Sequence, residues 1–92
     1  MRYLVNWKDN TVHSTIMAIA GIHRLMARCY AEHLNLQVCV WKLAENDVYA
    51  TPIPLRVYYD FKFDKLTLFT LSGDLVEMSE VRHKAVQKRE AA

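Results

Sequence analysis

The sequence predicts an α+β fold of two layers, in which an antiparallel sheet of four to five strands is packed by a long helix, with a second helix at the C-terminus. Three features carry this prediction: strand-like alternation from Leu55 to Leu71, helical spacing of apolar residues from Ile16 to Leu34, and a capping pattern that begins at Asp74. The predicted element order is β-α-β-β-β-β-α. With 92 residues, 52% of them hydrophobic and 24% charged, the chain has room for one core, so we expect residues 1–92 to form a single domain.

The stretch from Leu55 to Leu71 allows strand register to be predicted directly. Apolar and polar residues alternate along it, which is the period of a strand with one buried face. A two-residue turn at Asp64-Lys65 would place Phe63 opposite Leu66, so that both apolar rows lie on one side of the hairpin. Because Asp-Lys lacks the glycine that the tightest turns favour, a longer loop is the alternative. The predicted buried residues are Val57, Tyr59, Phe61, Phe63, Leu66 and Leu68.

The first third of the chain predicts a short strand followed by the long helix. Residues 3–7 alternate like a strand. From Ile16 to Leu34 the apolar residues recur at the spacing of an amphipathic helix of five or six turns. A glycine inside a helix costs ~1 kcal/mol relative to alanine, so Gly21 indicates a close approach by another part of the chain. The first residue of the helix is predicted only to within one turn, because three residues can serve as its N-cap: Asn10, Thr11 and Ser14.

The later segments predict further strands and a terminal helix. Both rows of residues 38–43 are largely apolar, which indicates a central strand, and residues 48–51 predict a short returning strand. Prolines in the segment 52–54 favour an edge position or a crossing link, because proline lacks a ladder donor. Asp74 followed by Glu77 predicts a capping box for a helix from Leu75 onward. The alternative is a strand over residues 75–78 with Ser79 capping a shorter helix; we favour the longer helix.

No catalytic signature is recognisable, so we expect a protein that is not an enzyme. Gly21 and Gly73 form neither a phosphate-binding loop nor a nucleophile elbow. Cys29 and Cys39 are not a Cys-x-x-Cys pair, and we expect two buried thiols in a reducing compartment rather than a disulfide. The N-terminal residues are too few and too polar for a signal peptide, and no apolar run approaches the ~20 residues of a membrane span. We therefore expect a cytoplasmic protein with no membrane partner.

A metal site was considered on the predicted helix. Cys29 and His33 stand four residues apart, so they share a face and would supply half of a zinc site. A stable site needs four ligands, and Cys39, His13 and His83 show no recognisable spacing around that pair. We expect neither a metal nor a cofactor.

Side chains left over after the core is assigned favour a binding role. In the predicted register Tyr58 and Phe69 point away from the core, so either a second helix covers them or they mark a binding surface. Arg24 and Arg28 project one turn apart from the exposed side of the helix, with Glu32 able to pair with Arg28. The residues expected to bind a partner are Arg24, Arg28, Tyr58, Lys62, Phe69, Arg82 and Lys84.

These features predict a small binding protein that docks, as a monomer or homodimer, on a larger protein or ribonucleoprotein complex. Small, motif-poor domains of this type are common among phage-encoded inhibitors of host defence, including anti-CRISPR and anti-restriction proteins; the association is by size and type. The alternative is direct RNA or DNA binding, with backbone contacts from Arg24, Arg28 and the basic C-terminal helix. The formal net charge of +2 is too small to identify a polyanion partner.

The order helix, three strands, helix within residues 14–90 is similar to that of a double-stranded-RNA-binding domain, and residues 79–88 look like the basic final helix of that family. Glu80 and Val81 stand where such a domain presents lysines, and its histidine-bearing loop has no equivalent. Residues 56–61 also lack the glycine that an RNA-recognition motif has between its aromatic residues. We therefore assign the chain to no family.

Overall fold

The structure, a computed structural model, describes residues 1–32 and 37–80, which form one antiparallel sheet and one helix. The α+β class is confirmed, with six strands in the described part rather than four to five, and with one helix there rather than two. The sheet order is β2-β1-β3-β4-β5-β6. Within the described ranges, no helix has the length and apolar character needed to cross a membrane. The elements are β1 (Tyr3–Lys8), β2 (Val12–Met17), α1 (Ile19–Ala31), β3 (Val38–Lys42), β4 (Ile53–Asp60), β5 (Lys65–Thr70) and β6 (Leu75–Glu80).

Strand β2 occupies residues that the sequence assigned to the first turns of the helix or to its caps. It pairs with β1 along its whole length, from Lys8 opposite Val12 to Tyr3 opposite Met17. Three of its six residues are β-branched, and such side chains fit a pleated surface better than a helix. The predicted helix start was therefore wrong, and α1 begins at Ile19.

Helix α1 packs on one face of the sheet and closes the core. It buries Ile22 completely, with Ile19, Leu25 and Cys29 beside it, because these residues recur on one side at helical spacing. The sheet contributes six buried side chains to the same cluster: Tyr3, Val5, Val40, Leu55, Leu66 and Leu68. Leu66 and Leu68 are fully buried as predicted.

The hairpin of β4 and β5 forms in a different register from the predicted one. Leu66 pairs with Tyr59 instead of Phe63, a shift of four residues that leaves the apolar rows on the predicted face. The longer loop, residues 61–64, is the alternative that forms; Asp64 adopts a left-handed backbone there, with φ of 49°. Phe61 and Phe63 are 50% and 63% exposed, so their predicted burial was wrong.

Strand β3 is an interior strand, as predicted, but residues 48–51 form no strand. Pro54 lies within β4, which is an interior strand of the sheet, whereas the sequence predicted an edge or a crossing link. Pairing between β4 and β5 begins only at Leu55. At Pro54 the strand therefore has a described ladder on one side only, which makes room for a residue without an N–H group.

Residues 75–80 form β6, so the favoured helix from Leu75 was wrong and the alternative strand is confirmed. A tight turn takes the place of the capping box. Thr70 N–H donates to the Asp74 carbonyl at 2.8 Å, and Gly73 supplies a positive φ of 97°. The terminal helix predicted in either version, with Arg82 and Lys84, lies outside the described residues.

The sheet curls around α1. The hydroxyl of Tyr3 on β1 lies 2.6 Å from Oε1 of Glu77 on β6. In a flat sheet these strands would be ~19 Å apart, at ~4.8 Å per strand, which is farther than the two side chains reach. The face that holds α1 is therefore concave and the opposite face is convex.

Candidate partner-binding site

A groove separates α1 from the hairpin of β1 and β2. It has a volume of about 360 Å³ and takes one wall from the strands and the other from the helix. We call it the arginine groove, and its lining residues are Trp7, Met17, Gly21, Arg24, Leu25 and Arg28.

Gly21 sets how closely the two walls of the arginine groove approach at one end. A Cβ atom at this position would lie 3.0 Å from Sδ of Met17 and 3.2 Å from Cβ of Met17. The close approach predicted from Gly21 is therefore confirmed, and the residue approached is Met17 at the end of β2. A larger side chain at position 21 would force this end of the groove apart.

Two guanidinium groups make the arginine groove basic. Arg24 is exposed and has no ion pair among the described residues. Arg28 Nε lies 3.7 Å from Oε2 of Glu32, the pairing expected from the sequence, and both side chains are more than half exposed. Such an exposed pair contributes only about 0–1 kcal/mol, so Arg28 can exchange Glu32 for another anion. The groove thus combines two available positive charges with apolar walls.

The other predicted binding residues lie elsewhere. Tyr58 and Phe69 project from the convex face, on the side of the sheet opposite α1. Lys62 lies in the loop between β4 and β5 and is exposed. The predicted set is therefore divided between two faces of the molecule, and its remaining members, Arg82 and Lys84, fall outside the described residues.

The convex face is more apolar than the outer face of an antiparallel sheet usually is. None of the described helices or loops covers it with a second layer. Leu71 is also exposed, in the turn that follows β5. Its large apolar residues, half-buried or exposed, are Leu4, Ile16, Trp41, Tyr58, Phe69, Leu75 and Met78.

A buried polar cluster joins α1 to the far end of the sheet. His23 is only 5% exposed. Its Nε2 atom lies 2.8 Å from Oδ1 of Asp64, and its Nδ1 atom lies 3.1 Å from Oγ of Ser79. The Asp64 carboxylate can only accept hydrogen bonds. A neutral His23 ring would therefore donate from Nε2 to Asp64 and accept a hydrogen bond at Nδ1 from the Ser79 hydroxyl. The Tyr59 hydroxyl donates a hydrogen bond to the same Asp64 oxygen at 2.7 Å. Burial is the main cause, and this hydrogen bond the next, that raises the pKa of Tyr59 to about 12.

Ser79, His23 and Asp64 are residue types that also occur together in serine hydrolases. The arginine groove does not touch these residues, and neither does a second cavity of about 190 Å³ near Asn6 and Cys39. The described contacts of this cluster link α1 to the loop before β5 and to β6. Sequence reasoning missed it because its members are 41 and 56 positions apart, and no local motif signals such a contact.

Cysteine and histidine side chains do not gather in the described part of the chain. Residues 1–32 and 37–80 contain no group of three or more His, Cys, Asp or Glu that could hold a metal ion. His33 and His83 lie outside these ranges. Cys29 and Cys39 are free thiols, one in the core and one half-buried, and burial raises the pKa of the Cys29 thiol.

No family model matches the chain, and neither a curated protein nor a solved structure matches it significantly. Function is therefore inferred from the geometry of the arginine groove.

Proposed function

We propose that this chain is a non-enzymatic binding protein that docks on a larger protein, with the arginine groove receiving an acidic segment of that partner. One observation carries the proposal. Arg24 and Arg28 stand one helical turn apart beside a cavity of about 360 Å³, and Arg24 has no counter-ion among the described residues. Guanidinium groups form strong, often bidentate hydrogen bonds with carboxylates.

The walls of the groove favour a peptide over a nucleic-acid backbone. Trp7, Met17 and Leu25 offer apolar surface to the carbon atoms that carry an acidic side chain. Residues 1–80 contain eight Lys and Arg against nine Asp and Glu, whereas a nucleic-acid module usually spreads a clear positive excess over one face. Residues 1–80 thus carry a local basic site on a nearly neutral background.

Direct RNA or DNA binding remains the second candidate, because residues 81–92 contain four Lys and Arg against one acidic residue. Phosphate contacts from Arg24, Arg28, Arg82 and Lys84 would make affinity fall steeply with salt, by roughly 0.9 in log K per contact for each decade of salt. This salt dependence separates the two candidates. Filter binding of duplex DNA and of RNA at two salt concentrations measures it.

The proposal also suggests a class of partner. A phage-type inhibitor of host defence, of the anti-CRISPR or anti-restriction class, fits the size and the absence of catalytic motifs, and its partner would be a host protein or ribonucleoprotein. Tyr58, Phe69 and Lys62 would form a second contact, since they project away from the groove. We propose no cofactor for either contact.

The test is affinity capture with the full chain from nuclease-treated lysate. We expect a stoichiometric protein partner that is lost with the double variant R24E/R28E. The control is R2E, because Arg2 is exposed and belongs neither to the arginine groove nor to the Tyr58, Phe69 and Lys62 surface. Equal capture by the wild type and by R24E/R28E would contradict the proposal.

A further inference from the structure

Strand β2 is an unprotected edge of the sheet. It pairs with β1 alone among the described strands, so no strand within residues 1–32 and 37–80 uses the backbone donors and acceptors along its outer side. Its sequence, Val-His-Ser-Thr-Ile-Met, contains no Lys, Arg, Asp, Glu or Pro. These are the residue types that usually keep an edge strand from pairing with another chain.

The opposite edge of the sheet differs in this respect. Strand β6 carries Glu77 and Glu80, and an irregularity in its pairing with β5 breaks the ladder opposite Leu68 and Phe69. Charges and bulges are common protections of an edge strand. Of the two described edge strands, only β2 therefore lacks these protections against pairing with another chain.

The exposed edge of β2 borders the arginine groove. The groove extends from Trp7, whose partner is His13, to Met17 at the other end of β2, a distance of about 14 Å at ~3.4 Å per residue. Thr15 lies between them on the concave side by register, yet it is exposed, so α1 leaves this side of β2 open. A strand added at the edge of β2 would therefore place every second side chain beside the groove.

The arginines match the spacing of such a strand. Arg24 and Arg28 are four residues apart, which is about 6 Å along a helix axis at 1.5 Å per residue. Side chains on the same face of a strand are about 6.8 Å apart. Two acidic residues at alternate positions of an extended segment would each meet one guanidinium group.

We propose that the partner segment binds as an additional β-strand along β2, with acidic side chains at alternating positions in the arginine groove. This inference rests on the proposed function and specifies how its partner is recognised. Backbone hydrogen bonds to β2 would supply affinity that is independent of sequence, and the two arginines would supply selectivity for acidic residues at every second position.

The probe is an N-acetylated, C-amidated peptide of about eight residues in which Glu alternates with Val and Thr, a length suited to one edge strand. The control peptide has the same composition with its Glu residues consecutive. Isothermal titration measures affinity, and hydrogen exchange followed by NMR measures protection of the β2 amides. We expect the alternating peptide to bind at least about tenfold more tightly than the control, and to lose this advantage on R24E/R28E.

Methylation of the peptide nitrogens tests the backbone contacts. In an added strand only every second N–H points to β2, so methyl groups on one alternate set should abolish binding and methyl groups on the other set should be tolerated. Protection of β2 amides by the unmodified peptide is the matching result on the protein side.

Three outcomes would overturn the inference. Equal binding of both peptides without protection of β2 would leave the groove as an acidic-segment site but exclude strand addition. Failure of both peptides to bind would exclude strand addition by acidic segments, while partner capture would still decide the proposed function separately. In the absence of peptide, the β2 amides could instead become more protected from hydrogen exchange as the protein concentration rises. That result would assign the edge to a second copy of the chain.

Discussion

The hydroxyl of Tyr3 donates a hydrogen bond of 2.6 Å to Oε1 of Glu77, although the residues are 74 positions apart and their strands are separated by three others. Tyr3 is fully buried, and burial, followed by the contact with the Glu77 carboxylate, raises the pKa of the Tyr3 hydroxyl. This bond links the two sides of the curled sheet beneath α1.

Removing the Tyr3 hydroxyl should destabilise the protein. Y3F keeps the ring but leaves the half-buried Glu77 carboxylate without this donor, and we expect a loss of about 1–3 kcal/mol in the free energy of unfolding. Urea denaturation followed by circular dichroism measures it. The control is Y49F, because Tyr49 is 94% exposed and the change there should stay within about 0.5 kcal/mol. Equal effects of Y3F and Y49F would show that the Tyr3 hydrogen bond contributes nothing.

Stability should decline at alkaline pH. The pKa of Tyr59 is raised to about 12 and that of Tyr3 is raised as well, so the folded chain retains phenol protons that the unfolded chain releases. Their contribution to stability is complete below about pH 10, the ordinary tyrosine range, and is lost as the pH rises towards the folded-state values. Thermal unfolding between pH 9 and 12 measures the decline. In the variant Y59F, the melting temperature should fall less per pH unit than in the wild type. An equal fall in both proteins would contradict this account.

The contact between Gly21 and Met17 should reverse the usual effect of a helical glycine. Alanine normally stabilises a helix by ~1 kcal/mol relative to glycine, but here its Cβ would lie 3.0–3.2 Å from Sδ and Cβ of Met17. We expect G21A to be neutral or destabilising in the wild type and less unfavourable in the M17A background, which removes the Sδ contact and keeps the Cβ contact. A double-mutant cycle in urea should give a coupling of about 1 kcal/mol. Equal effects of G21A in both backgrounds would show that the Met17 thioether does not oppose the added Cβ.

Releasing Arg28 from Glu32 should strengthen binding of an acidic segment. The atoms are 3.7 Å apart and exposed, so E32Q should change stability by less than about 0.5 kcal/mol. We expect E32Q to bind the alternating Glu peptide about two- to fivefold more tightly, an effect that shrinks as salt is raised. E45Q is the control for net charge, since Glu45 is exposed and lies near the N-terminal amine rather than the groove. An equal gain in E45Q would indicate a general charge effect.

Much of the fold could be predicted where the sequence pattern is local. The strand at Tyr3–Lys8, the interior strand at Val38–Lys42 and the buried face of the hairpin all follow from period-two alternation. The β4–β5 register was wrong by four residues, yet Val57, Tyr59, Leu66 and Leu68 still face the core, because an even shift leaves the same side chains on the same face. Phe61 and Phe63 do not, because they lie in the loop. The loop length could not be predicted, since Asp64 takes a positive φ that aspartate tolerates but does not require.

The candidate site was predictable only in its charges. Arg24 and Arg28 follow from helical spacing, whereas the opposite wall of the groove depends on β2, which the sequence assigned to the helix or to its caps. The reason is that residues 12–17 have no strong period of their own and become a strand by pairing with β1. Their edge position in turn follows from the strand order, which local sequence does not specify.

By itself, the sequence determined which residues are apolar, which of them alternate, and that two arginines stand one turn apart on a helix. The tertiary structure decided which strands are edges, how far the sheet curls, and that Tyr3 meets Glu77 while His23 meets Asp64 and Ser79. The physical reason is that alternation and helical period arise between near neighbours in the chain. Strand order and buried polar partners depend instead on the packing of the whole core around α1.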